Sequence, residues 1–223
     1  MIADSFKLLI KNTVPKKLID GIRGIRPSLP QDVIELSYYQ EASFWKPDRG
    51  RCPCDFEFVE YLKRSKIEGK SIFHFGTGGH HIVGLENQEF TVPNEVIGIT
   101  ASAPEHRAYT QLVLKDRALA KYYKVLFVDV YTLTANTLPM FDIVTLFHLC
   151  EFYLSDNAPS VHQDDQSLLQ LFLDKLNPGG KIAFFTGSWG WDQTQVILQA
   201  LELAGEIKQV DAYKTLLIYA KNE

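Results

Sequence analysis

The sequence predicts an α/β fold, a three-layer sandwich on a mostly parallel seven-stranded sheet, with an antiparallel C-terminal hairpin edge and an N-terminal helical cap. Three observations predict it. Short apolar runs alternate with helically spaced segments, the pattern of parallel strands joined by right-handed crossovers. A glycine-rich turn, Phe75-Gly76-Thr77-Gly78-Gly79, follows the first run. The last two runs are separated only by Ala212, Tyr213 and Lys214, which permits only an antiparallel hairpin.

The elements follow in order. The first thirty residues, with Lys16-Lys17, Gly21, Gly24 and prolines, are too mixed to assign. From Pro30 to Trp45, a proline near a helix start precedes Val33, Ile34, Leu36, Tyr38 and Phe44, and 55–66 reads as a second helix with Asp55 as N-cap. Residues 1–69 thus form a helical extension over a domain at 70–223. Runs at 71–75, 95–100, 124–129, 141–147 and 181–186 are apolar on both faces, as buried strands are. Ser102-Ala103-Pro104-Glu105 is a capping-box start for a helix through about Tyr122. A further helix runs from about Asp164 to Leu176, ended by Asn177-Pro178-Gly179-Gly180, and another from Asp192 to Ala204 with Gly205 as its cap. Strands at 206–211 and 215–220 close the chain.

Composition narrows the function. The 223 residues are 46% hydrophobic and 22% charged, ordinary for a globular chain with one sizeable core. A net charge of −4, a pI near 5.9 and the lack of any concentrated Lys/Arg stretch argue against nucleic acid as partner. The start Met1-Ile2-Ala3-Asp4-Ser5 lacks the basic-then-apolar order of a signal peptide, and no apolar run approaches the ~20 residues of a membrane span, so a cytoplasmic protein without membrane contact is expected. Cys52, Cys54 and Cys150 are too few for a disulfide framework. Cys52-Pro53-Cys54 has neither a second pair nor a downstream His pair, and reads as loop thiols with no metal.

A strand that ends in a glycine turn and enters a helix offers backbone N–H groups and a positive dipole end at the edge where open α/β sheets bind ligands. A dinucleotide fingerprint would need glycine at His81 and an acid near Thr100, and has neither. Residues 70–221 instead resemble the class I S-adenosylmethionine-dependent methyltransferases. His74-Phe75-Gly76-Thr77-Gly78-Gly79-His80 is similar to their glycine motif, Phe127-Val128-Asp129-Val130 to their third-strand motif, and Phe141 to Glu151 to their fourth-strand motif. Leu176-Asn177-Pro178-Gly179-Gly180-Lys181 and the terminal hairpin match as well. The departures are His74 where an acid usually opens the motif, His80 at the third glycine, and Thr100 where an acid usually grips the ribose hydroxyls.

The resemblance implies S-adenosyl-L-methionine as cofactor and methyl transfer to O or N of a small-molecule acceptor. It places Phe75, Gly76, Thr77, Gly78, His80, Thr100, Ala101, Asp129, Val130 and Phe147 around the donor, with Asp129 either at the adenine or capping the next turn. A sulfonium methyl is already electrophilic, so the enzyme mainly aligns and excludes water. If the acceptor must lose a proton, His148 or Glu151 is the base, unless His148 only hydrogen-bonds backbone. Tyr39, Trp45, Trp189 and Trp191 are candidates to line the acceptor pocket. The rival expectation, motivated by His74, His80 and Thr100, is a methyltransferase-like protein that no longer catalyses.

Overall fold

A computed structural model describes residues 44–153 and 161–222. The expected helix from Pro30 falls almost wholly outside that range. The described chain forms α1 (Cys54–Arg64), β1 (Ser71–Phe75), α2 (Ile82–Glu86), β2 (Glu95–Thr100), α3 (Ala103–Lys115), α4 (Leu119–Tyr122) and β3 (Tyr123–Phe127). There follow β4 (Phe141–Thr145), α5 (Asp165–Asp174), β5 (Leu176–Phe185), α6 (Trp191–Leu203), β6 (Ile207–Tyr213) and β7 (Leu216–Lys221). The seven strands make one sheet in the order β3-β2-β1-β4-β5-β7-β6. β7 runs antiparallel to both β5 and β6, and the other pairings are parallel.

Alternation along each strand feeds two cores. Ile72, Val96 and Ile143 face Phe58 and Leu62 of α1 and Val83 of α2. Phe73, Val144 and Ile182 face Leu168 and Phe172 of α5 and Leu198 of α6. The rings of Phe73 and Phe172 are 4.4 Å apart, and both side chains are fully buried. Each side chain of this size contributes about 1.5–3 kcal/mol by leaving water. These two cores are the outer interfaces of the three-layer sandwich.

The structure moves several expected boundaries. Asp55 is not the N-cap of α1: Pro53 holds that position with no side-chain cap, and Asp55 lies one residue inside, 4% exposed. α1 packs directly on the sheet, with Phe58 and Leu62 in the core that Ile72, Val96 and Ile143 share. The helix expected through Tyr122 breaks at Asp116, whose backbone turns to φ −133° and whose carboxylate accepts the N–H of Ala118. β4 ends at Thr145, because the chain turns back with a Leu149 N–H to Leu146 C=O bond. β5 starts earlier, at Leu176, and bulges across 177–180: Phe141 pairs with Leu176, but Ile143 pairs with Lys181. Gly179 takes a positive φ of 73° there. No helix among the described residues is long and apolar enough to cross a membrane.

Candidate active site

Parallel pairing brings the C-terminal ends of β1, β2, β3 and β4 to one edge of the sheet. The glycine turn leaves β1 on this edge, with Gly76 at φ 85° and Gly78 at φ 54°, a region that side chains with a Cβ rarely enter. The room left by the absent Cβ atoms is taken by rings of the protein itself. A Cβ on Gly76 would stand 2.9 Å from His148 Cδ2, one on Gly78 2.6 Å from His80 Nε2, and one on Gly79 2.3 Å from Phe44 Cζ. The Gly79 N–H donates to the Trp45 carbonyl at 2.9 Å, so the 44–45 segment lies across the turn. Beyond it, Gly79, His80, Leu85, Ala108 and Leu112 border an open groove of about 480 Å³.

Carboxylates from other elements lie beside both positions where the linear motifs lack an acid. His74 on β1 bonds Thr145 of β4 through Nδ1 at 2.8 Å, and its Nε2 lies 3.6 Å from the Asp55 carboxylate of α1. His80 Nε2 is 3.7 Å from the other oxygen of the same carboxylate. Burial pushes the Asp55 carboxyl up, but His74 and then His80 beside it outweigh this and hold it below its ordinary value. At the end of β2, the Thr100 hydroxyl donates to Glu105 Oε2 at 2.8 Å, and the Trp45 N–H donates to Oε1 at 3.0 Å. Glu105 is 4% exposed, and burial raises its carboxyl above the usual range. The capping box is therefore half made. Ser102 accepts the Glu105 N–H, while the glutamate side chain turns back to Thr100.

His81 opens α2 in the left-handed region, at φ 50°. Its Nε2 is 3.0 Å from the Glu105 carbonyl, which can only accept, so Nε2 carries the proton and Nδ1 accepts from the Tyr123 hydroxyl, also at 3.0 Å. Burial depresses its pKa to about 4. The neutral ring thus links α2, α3 and β3.

Next to the glycine turn, the loop before α1 meets the loop after β4. The Sγ atoms of Cys52 and Cys54 are 3.4 Å apart. Their sulfurs and a ring nitrogen of His148 all lie within 4.8 Å of one another. His148 Nδ1 is 3.2 Å from Glu151 Oε1, and that oxygen also accepts from the Ser188 hydroxyl at 2.6 Å and the Trp189 N–H at 3.1 Å. Cys52 is drawn down to about 5, chiefly by its hydrogen bond to Cys54 and with help from His148, against the opposing effect of burial. Burial lowers the His148 imidazole, but hydrogen bonds to Cys52 and Glu151 overcome this and hold it at about 10. Glu151 Oε1 is thus engaged by three groups, His148, the Ser188 hydroxyl and the Trp189 N–H.

The other expected site residues divide. Phe147 lies in the core: its ring is 1% exposed and packs edge-on against Phe58, 5.7 Å between centroids, on the α1 side of the sheet. Phe75 is a core residue that also stacks edge-on with His148 at 6.5 Å. Thr77 is buried, its methyl filling the space over Gly98. Asp129 accepts the Tyr131 N–H at 2.9 Å and so caps the short turn that Val130 begins, while Ala101 sits at the bend after β2. Trp45 and Trp189 meet edge-to-face at 5.9 Å, whereas Trp191 packs against the α5–α6 core. Tyr39 lies outside the described residues. Sequence reasoning missed Asp55, Glu105 and the convergence of Cys52 and Cys54 on His148. Glu105 carried a signal, but that signal was read as a cap.

No family model matches the chain, and no curated protein matches it by sequence. Its fold does have solved counterparts. Ribosomal protein L11 methylase from Lactobacillus delbrueckii subsp. bulgaricus aligns over 81% of this chain and 82% of its own, with a TM-score of 0.52 and 16% identity. Magnesium protoporphyrin IX methyltransferase from Synechocystis PCC 6803, solved with bound SAM, aligns over 83% and 89%, with a TM-score of 0.55 and 9% identity. The [4+2]-cyclase SpnF aligns over 77% and 62%, at 0.51 and 17%. The chain has the class I methyltransferase fold.

Proposed function

We propose that this protein transfers a methyl group from S-adenosyl-L-methionine to O or N of a small-molecule acceptor. One observation carries the reading: the glycine turn lies at the carboxyl edge of the sheet with a buried carboxylate, Glu105, delivered to Thr100 at the end of β2. Gly76 and Gly78 would admit the methionine end of the donor to the backbone, Glu105 with Thr100 would take the ribose hydroxyls, and Asp129 would take the adenine. The donor supplies an electrophilic sulfonium methyl. The protein's own part is to orient and to exclude water. The Trp45–Trp189 pair, with the indoles 47% and 75% exposed, offers an apolar wall at the edge where an acceptor would enter.

The fit asks for two ring displacements. A donor seated on the turn displaces the Phe44 ring from Gly79 and the His80 ring from Gly78. That same packing favours the second reading, a methyltransferase-like protein that binds weakly and does not catalyse. Calorimetry and thermal shift with S-adenosylmethionine and S-adenosylhomocysteine test the proposal. Binding that weakens in Asp129→Ala is expected, and absence of heat and of any shift at millimolar ligand would overturn it.

A further inference from the structure

We infer that Cys52, Cys54 and His148 form a zinc site with three protein ligands and an open fourth position, oriented by Glu151. Two soft sulfurs and one imidazole are a donor set that zinc takes in open sites, where a water or substrate completes the tetrahedron. The geometry is near what the ion needs. Tetrahedral zinc with bonds of about 2.3 Å to sulfur and about 2.0 Å to nitrogen sets ligand atoms roughly 3.6–3.8 Å apart. Here the sulfurs are 3.4 Å apart and all three donors lie within 4.8 Å, so small side-chain rotations suffice.

The surroundings supply the second observation. A histidine that binds metal through one nitrogen commonly donates its other N–H to a carboxylate, which sets its tautomer and direction. His148 does this: Nδ1 faces Glu151 Oε1, which leaves Nε2 for the cation. Glu151 is itself fixed by Ser188 and the Trp189 N–H. Cys54 is the first residue of α1, and Pro53 fixes the backbone between the two sulfurs at φ −75°. Cys54 is 1% exposed, while Cys52 is half-buried and the His148 side chain is 19% exposed, so the site is walled on one side and accessible on the other. Binding Zn²⁺ releases the proton of any thiol still protonated and that on His148 Nε2, and two thiolates then balance the charge of the ion.

The site is testable without donor or acceptor, so it stands or falls apart from the methyl-transfer reading. The full chain, reduced and stripped with chelator, is titrated with Co²⁺ and followed by absorption. One equivalent should produce thiolate-to-cobalt charge transfer and the intense visible bands of tetrahedral coordination, and Zn²⁺ should bleach both. Cys52→Ser and Cys54→Ser should each weaken binding by more than about a hundredfold, while Glu151→Gln should keep the bands and weaken binding by the ~10–100-fold typical of an outer-shell partner. His148→Cys, in a chain whose far-UV spectrum and cooperative unfolding match the wild type, should strengthen the charge-transfer band. Absence of the bands in the wild-type chain, or bands that survive both serine substitutions, would overturn the inference.

Discussion

Two neighbouring regions of the ligand edge use polar side chains in opposite ways. Around the glycine turn, Asp55, His74, His80, Thr100, Glu105 and His81 hold one another across α1, α2, α3 and the strands. Their hydrogen bonds and ion pairs are directed inward, and the turn glycines are packed by rings. Below the end of β4, two sulfurs and an imidazole converge with an outer carboxylate already in place behind the histidine. The first region is an inward-directed polar network, packed by rings, that a ligand must open. The second is a set of donors preorganised around a point. A buried network stabilises only when complete, whereas converging electron-pair donors gain most when a cation joins them.

The sharpest way to break this contrast is to remove the carboxylate that the network shares. Asp55→Ala leaves His74 and His80 without their buried partner and should cost about 3–5 kcal/mol in urea unfolding. A loss near zero would mean that the network is not mutually dependent.

The pH dependence of the same network comes next. His81 has a folded pKa of about 4 against an ordinary 6.5, so between these values the unfolded chain binds a proton that the folded chain refuses. Its contribution is complete above pH 6.5 and is lost as pH falls toward 4, a total of about 3 kcal/mol. Tyr123, Tyr109, Glu105 and His80 surround the ring. In His81→Asn, where asparagine tolerates the positive φ, the unfolding free energy should lose this slope.

Smaller effects separate the turn as a ligand site from the turn as mere packing. Glu105→Gln should weaken S-adenosylmethionine binding by about 1–2 kcal/mol, roughly tenfold, as a charged hydrogen-bond acceptor becomes neutral. Phe44→Ala should act in the other direction, tightening binding a few-fold, about 0.5–1 kcal/mol, because less packing must be displaced from Gly79. Calorimetry reads both. Tightening in Phe44→Ala together with weakening in Glu105→Gln would place the ligand on the turn.

The sheet was legible because its signals are local. Runs such as 95–100 (EVIGIT) are apolar on both faces, and three residues between the last two runs leave no path but a hairpin. The turn at 76–79 was likewise legible, since positive φ selects glycine within the turn itself. The break of the third helix at Asp116 was not, because side-chain capping from Asp116 competed with a segment whose spacing still looked helical.

What the sequence determined by itself is thus the alternation, the hairpin edge and the glycine turn, each set by the stereochemistry of neighbouring residues. Tertiary structure alone decided where the charges and sulfurs go. His74 and Thr100 look like losses when the motifs are compared in line, yet Asp55 and Glu105 return carboxylates to both places from helices. Cys52-Pro53-Cys54 shows no second pair in the linear sequence because its third partner, His148, lies beyond four strands. Side chains far apart along the chain meet only when the sheet sets their elements side by side, and no local pattern records that meeting.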